Sequence, residues 1–295
     1  MDLITNIIEQ LINGLRTGSI YALIALGYTM VYGIAKMINF AHGDIIMVGA
    51  YALYVFSTLL GLPIPLCIVL TVIFCAVLGM TVERVAYKPL RKAPSLAVLI
   101  TAIGVSYFLQ NMALLIFKAT PIPFGSVIKV PTVKIAGIHI SGITIVTFVI
   151  TAITMVLLTW FINKTKAGSA MRAVSEDKGA AELMGINVNK TISLTFAIGS
   201  ALAAVAGILF ICQYESLYPT LGAMPGIKAF VAAVLGGIGS IPGAMLGGIV
   251  LGIIESLSKA YISTQLADAI VFGVLVIVLL VKPSGLLGKM KIEKV

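Results

Sequence analysis

The chain has 295 residues, of which 60% are hydrophobic and only 11% charged, with a mean hydropathy of +1.12. A soluble domain carries about a quarter charged residues, and one core of this size could not hide so much apolar surface, so soluble globular and disordered classes are excluded. The formal charge of +9 reads as the basic loops of a membrane protein, which set orientation; no nucleic-acid partner is expected.

In chain order, an apolar stretch from Ile4 to Ile34 is interrupted at Glu9, Asn13 and Arg16. These three share one helical face, which suits either pairing within the helix or an interfacial position with Arg16 reaching the headgroups. The first ten residues lack a basic n-region and a small-residue cleavage pattern, so no removable signal peptide is expected. A polar joint, Lys36 to Asp44, precedes a span over Ile45–Leu60, and Pro63 and Pro65 mark the turn into a third span, Leu66–Val82. The joint INFAHGDIIMVGAY, with Asn39, His42 and Asp44 between glycines, suits either an ordinary short loop or a broken helix lining a cavity.

A basic segment, Glu83–Lys92, leads to a span over Leu96–Phe117. Residues 118–141 are rich in Pro, Gly and β-branched residues and predict an extended loop or hairpin. A fifth span covers Gly142–Ile162, and a long polar loop, Asn163–Lys190, precedes a sixth that ends near Cys212. After the connector Gln213–Gly226 comes Ile227–Gly239, only two-thirds of a normal span, then Met245–Leu257 and Leu266–Val281. The expected fold is therefore an all-α polytopic bundle of eight or nine transmembrane helices, with broken or re-entrant segments, in a single domain over residues 1–295.

Of the 20 Lys and Arg residues, 13 fall in 83–92, 163–190 and 282–295. Alternating spans place all three segments on the cytoplasmic side together with the C-terminus, and 118–141 outside. Lys228, Glu255 and Asp268 lie near predicted span ends, where interfacial placement is expected. A Gly-Ala/Lys-Pro interval of 39 residues occurs at 49–89 and again at 243–283; it is either chance or the trace of a duplication.

No catalytic constellation is present. His42 and His139 are far apart, the three cysteines (Cys67, Cys75, Cys212) lack ligand spacing, and neither GxSxG nor GxxxxGK[ST] occurs. Enzyme activity, a metal site and a cofactor of the chain's own are not expected. The pathway residues expected from the two Gly-rich joints are Asn39, His42, Gly236, Gly237, Gly239 and Ser240. In the loop 163–190, apolar and charged residues alternate around Gly179. A short helix over Glu176–Ala181, closed at Gly185, could be an interfacial helix or a docking element for a soluble partner.

The segment RAVSEDKGAAELMGINVNKTISLTFAIGSALAAVAGIL resembles the cytoplasmic loop and following span of ABC-importer permeases of the branched-chain amino acid class. INFAHGDIIMVGAY and AFVAAVLGGIGSIPGAMLGG are similar to other signatures of that class, and the likeness extends over essentially the whole chain. It is nearest the high-affinity leucine/isoleucine/valine permease type. The resemblance implies an ATPase-coupling helix at Ala180, Ala181, Glu182 and Gly185, flanked by Arg172 and Asp177. Gly179-Ala180-Ala181-Glu182 departs from the fuller EAA consensus of other importer classes. It further implies a second homologous permease subunit (a heterodimer), two ATPases that bind ATP and Mg, an extracytoplasmic binding protein, and a bacterial inner-membrane location. Related permeases for urea or short amides share these features, and a stand-alone secondary carrier is the rival class.

Overall fold

The computed structural model describes residues 3–288, apart from 92, 129, 136 and 137. Lys92 and the basic tail residues Lys289, Lys291 and Lys294, counted above with the cytoplasmic charges, lie outside it. The helices are α1 (Leu3–Ala35), α2 (His42–Tyr54, continued as a π-turn over Val55–Leu59), α3 (Ile64–Val82, continued through π and 3-10 turns to Leu90) and α4 (Ser95–Phe117). They continue with α5 (Gly142–Lys164), α6 (Lys166–Glu176), α7 (Lys178–Leu183), α8 (Val188–Tyr214), α9 (Ala223–Gly236), α10 (Ile241–Tyr261) and α11 (Ala267–Val281). Among the described residues seven helices, α1 to α5, α8 and α10, are long and apolar enough to cross a membrane; α9 and α11 are shorter. The expected eight or nine helices agree with this.

Contacts sort the helix ends onto two faces. At one, the Lys178 Nζ donates to the Ala35 carbonyl, 3.0 Å away, Arg91 donates to Asn189, and Gly237 abuts the Ser284–Gly288 segment after α11. This is the basic face. At the other, β1 (Ile122–Pro123) pairs antiparallel with β4 (Ser216–Leu217), and β2 (Val133–Ile135) with β3 (Ile138–Ile140). The predicted extended character of 118–141 is thus realised, and β1–β4 joins it to the connector after α8.

α1 and α8 form the buried centre, whereas α3, α4 and α5 turn most of their apolar surface outward. A bilayer, unlike water, tolerates that arrangement. α1 runs antiparallel to α10 along small residues: Gly14 meets Ile253, Gly18 meets Ile249 and Gly252, and Ala22 meets Gly248. A Cβ on Gly14 would lie 2.7 Å from the Ile253 Cα, so the close approach depends on its absence.

Glu9, Asn13 and Arg16 do not interrupt α1. Thirty-three residues span about 50 Å at 1.5 Å per residue, longer than the ~30 Å hydrocarbon core, so the polar third reaches beyond it. Arg16 is half-buried against a cavity of about 640 Å³ at the hairpin end, shared with Ser126, Gln213 and Glu215.

Four expectations change. The helix predicted over Glu176–Ala181 is two helices, because Asp177 leaves helical geometry at φ −150° and caps α7. The connector ends at Gly222, and α9 begins at Ala223 because Pro225 is tolerated in a first turn, where no i−4 bond is lost. Lys228 and Glu255, expected at an interface, are enclosed by neighbouring helices. They are 6% and 2% exposed, and they pair at 2.8 Å. Finally, the 39-residue interval sets α2 against α10, whereas the element order sets α1–α4 against α8–α11. In each set a long central helix leads through a re-entrant segment to a shorter helix and then two more.

The two sets run in opposite senses. α2 parallels α4 away from the basic face, with Asp44 at Gln110 and Tyr51 stacked on Phe117. α9 runs toward that face, from Gly226 beside Gly43 to Gly236 beside Gly243. Inverted repeats of this kind place binding sites where the broken helices meet.

Candidate functional site

The re-entrant starts of α2 and α9 meet inside the bundle. A Cβ on Gly43 would lie 2.6 Å from the Gly222 carbonyl oxygen, and one on Gly226 would lie 2.7 Å from the Gly43 Cα. His42 stands over Gly27, eight residues before the end of α1, and Gly226 lies ten before the end of α9. By helical rise the junction is therefore about 12–15 Å from the basic face, near the middle of a ~30 Å core. Chain breaks at that depth are tolerated where backbone groups are covered by protein or line a cavity.

Both conditions are met. A cavity of about 460 Å³ opens beside the junction, between α4 and the starts of α2 and α9. Its polar lining is Asp44, Ser106 and Gln110, and its aromatic lining Tyr28, Phe40 and Tyr107. Asp44 is 2% exposed. The Gln110 Nε2 donates to the Asp44 Oδ1 at 2.8 Å and lies 3.3 Å from the Ser106 Oγ. As the only acid in the first turn of α2, the carboxylate also gains from the positive end of that helix.

The predicted pathway residues fall into two groups. Asn39 and His42 stand at the junction, but behind the cavity wall. Asn39 accepts from the Tyr87 hydroxyl at 2.7 Å, and the His42 ring meets Tyr28 edge-on at 4.7 Å. Gly236, Gly237, Gly239 and Ser240 sit instead at the basic face. Gly236 is pressed onto Gly243, while Gly237 and Gly239 hold φ of +104° and +96° in the turn before α10. The Ser240 Oγ caps α10 by accepting from the Gly243 amide at 3.2 Å. Gly239 shares a small cavity of about 110 Å³ with Arg172, so this group meets residues of the 163–190 loop rather than the junction.

Asp44, Ser106, Gln110 and Tyr107 were not among the predicted site residues. A signal existed: Ser106 and Gln110 are polar residues at i,i+4 spacing in a largely apolar span that also holds Thr101 and Asn111, which puts the pair on one helix face.

The predicted coupling residues gather on the basic face. Arg172 donates to the Ile162 carbonyl and to the Ser169 Oγ, fastening α6 to the end of α5. The Asp177 Oδ1 accepts from the Ala180 amide at 3.0 Å, as an N-cap should. Ala181 is buried beneath α7, Glu182 is exposed, and Gly185 (φ +80°) closes the helix. Leu183 and Met184 stand out at 91% and 82% exposed. Lys178, at the start of α7, grips the last carbonyl of α1 just before the re-entrant segment. Burial, and then the Arg91 and Lys36 charges, hold its ammonium below the ordinary lysine value.

Two opposed broken helices at mid-depth, with an amphipathic turn on the basic face, are the architecture of a membrane transport protein. The family described as branched-chain amino acid transport system / permease component matches residues 10–279. The chain is 47% identical over 300 aligned positions to the high-affinity branched-chain amino acid transport system permease protein BraD of Pseudomonas aeruginosa, covering 98% of each. It is 44% identical to the corresponding protein LivH of Escherichia coli, covering 98% of this chain and 97% of that one. A solved structure, PsaBC from Streptococcus pneumoniae in complex with Fab, aligns with a TM-score of 0.49 at 17% identity, over 92% of this chain and 91% of that chain. The chain belongs to the family of branched-chain amino acid transport permeases.

Proposed function

We propose that this chain is the permease subunit of a binding-protein-dependent ABC importer, and that it carries leucine, isoleucine and valine across the bacterial inner membrane by alternating access. The observation that carries the reading is near-full-length identity of 47% and 44% to permeases named for this transport. The basic face is cytoplasmic, following the positive-inside rule, so the C-terminus lies inside and the β-strand face outside. With no nucleotide-binding motif in the sequence, ATP and Mg belong to two partner ATPases. A second homologous permease completes the pathway, and a binding protein docks on the surface that β1 and β4 join.

Leu183 and Met184 on α7 offer the apolar knob that a groove in an ATPase would take, with Glu182 and Arg172 beside it. From α7 the path inward is short. Lys178 holds Ala35, and residues 36–41 lead directly to His42 and Asp44 at the junction. A displacement of α7 of a few ångströms is thereby delivered to the start of α2. The outward and inward states differ in how α2 and α9 enclose the cavity.

The test is ATP-driven uptake in proteoliposomes that hold the complete complex and its binding protein, with leucine compared against urea. Leucine uptake without urea uptake is expected. The pair Glu182→Lys with Gly185→Pro should abolish uptake and ATPase association together; survival of both would refute the coupling role of α7.

A further inference from the structure

Three carboxylates among the described residues are almost completely enclosed within the long apolar helices, Asp44, Glu83 and Glu255, and they are treated differently. Glu83 is met by the Arg91 guanidinium and the Ser193 hydroxyl. Glu255 is met by the Lys228 and Lys259 ammonium groups, at 2.8 and 2.6 Å, and by the Tyr21 hydroxyl at 2.8 Å. Asp44 is held by an amide and lies near a hydroxyl, both neutral. None of the ion pairs made by Lys228, Lys259 or Arg91 reaches it. A carboxylate enclosed without a cation is costly, and an ionisable group at this depth marks a pathway by default.

The surroundings of Asp44 say what would complete it. Its cavity, at about 460 Å³, falls within the roughly 300–1,000 Å³ range of small-ligand sites. The remaining walls are mostly apolar or aromatic: Phe40, Leu99, Ile103, Ile227, Tyr28 and Tyr107. The start of α9 lines the same cavity through Ala223 and Gly226, carries no acid in its first turn and has no side-chain cap. Its positive end therefore borders the space without an acid of its own. A small ligand with a cationic end, an anionic end and an apolar branch matches these walls.

Building on the transport reading above, we propose that Asp44, positioned by Gln110 and Ser106, receives the α-ammonium group of the amino acid at the midpoint of its passage. The branched side chain then lies on the aromatic and aliphatic wall, and the carboxylate turns toward the start of α9. Asp44 is thus a specificity-determining residue that favours zwitterions over uncharged amides, while the neutral partners leave its charge free to exchange one passing ammonium for the next. Gln110 is a positioning residue. Its amide fixes the carboxylate and does not meet the substrate's charge.

The experiment uses the complete complex in proteoliposomes. Asp44→Asn keeps the shape and removes the charge; Asp44→Glu keeps the charge and serves as rescue. Leucine uptake should fall at least tenfold in Asp44→Asn, with complex assembly retained, and recover to within about threefold in Asp44→Glu. A second readout needs no transport. Ile103→Cys, on the cavity wall, is labelled with cationic and anionic methanethiosulfonates, and the parent protein corrects for the three native cysteines. The cationic reagent should react faster, and adding Asp44→Asn should lower the rate ratio severalfold.

Uptake within twofold of the parent in Asp44→Asn overturns the proposal, and so does a labelling ratio that the substitution does not move. Lost uptake with an unmoved ratio is the mark of a structural role and overturns it too. A parent complex that takes up no leucine refutes the transport reading instead, and the labelling ratio then still reports whether Asp44 presents charge to the cavity.

Discussion

The two sides of α9 carry one kind of chemistry with two outcomes. On one side, Glu255 is enclosed by Lys228, Lys259 and Tyr21, and Lys228 also reaches Asp268 at 2.6 Å. On the other, Asp44 has a neutral amide and a cavity. The first arrangement is internally neutral and fastens four helices, α1, α9, α10 and α11. The second is incomplete as it stands. Burial of a charge therefore does not identify function in a membrane protein; what matters is whether the fold itself supplies the counter-charge.

Three single substitutions, and one second-site replacement, break or sharpen that contrast. The largest effect should come from Glu255→Leu, which leaves Lys228 with Asp268 alone and takes from Lys259 its carboxylate partner. Breaking one partner of a buried pair costs about 3–5 kcal/mol, and thermal unfolding in detergent should drop accordingly or folded protein should be lost. Replacing Lys228 by Met in the same chain should recover much of that loss. Next, Gly43→Val places side-chain atoms against the Gly222 carbonyl, an overpacking worth about 1–3 kcal/mol, and should separate the starts of α2 and α9. Reduced uptake with a moderately lowered melting temperature is the expected record. The smallest change should be the stability of Asp44→Asn, within about 1 kcal/mol of the parent or above it, because no fixed ion pair is lost. Should Asp44→Asn destabilise the protein as much as Glu255→Leu, the two sites would be alike and the contrast would fail.

Much of the architecture was legible in the chain. Spans such as Ser95–Phe117 and Gly142–Lys164 are continuous apolar runs bounded by Pro, Lys or Gly, and a bilayer imposes just that length. The joint around Asn39–Asp44, through its polar residues, allowed either an ordinary short loop or a broken helix. Its counterpart at Ala223 did not, because Met224 and Pro225 read as connector and only the tertiary contact of Gly226 with Gly43 reveals a helix start. The grouping of Lys228, Glu255 and Asp268 was equally hidden: 27 residues separate the first pair, and helix ends in sequence are not helix ends in depth. Ser106 and Gln110 were visible as a polar pair, but nothing local says that Asp44, 66 positions before Gln110, is what they face. On the basic face, Gly185 was placed correctly by its capping role, whereas the break at Asp177 needed the backbone.

The contact between Tyr21 and Glu255 joins residues 234 positions apart, along the same seam where Gly18 meets Ile249. At roughly 5–20 residues per second, a ribosome needs about ten to fifty seconds to make the second after the first. For that interval the nascent first helix sits in the membrane with its glycine stripe and its tyrosine hydroxyl facing lipid or a helper protein. Biosynthesis of this chain is therefore a long wait followed by a late closure, and a transcript truncated before α10 would leave the glycine seam of the central helix without its partner.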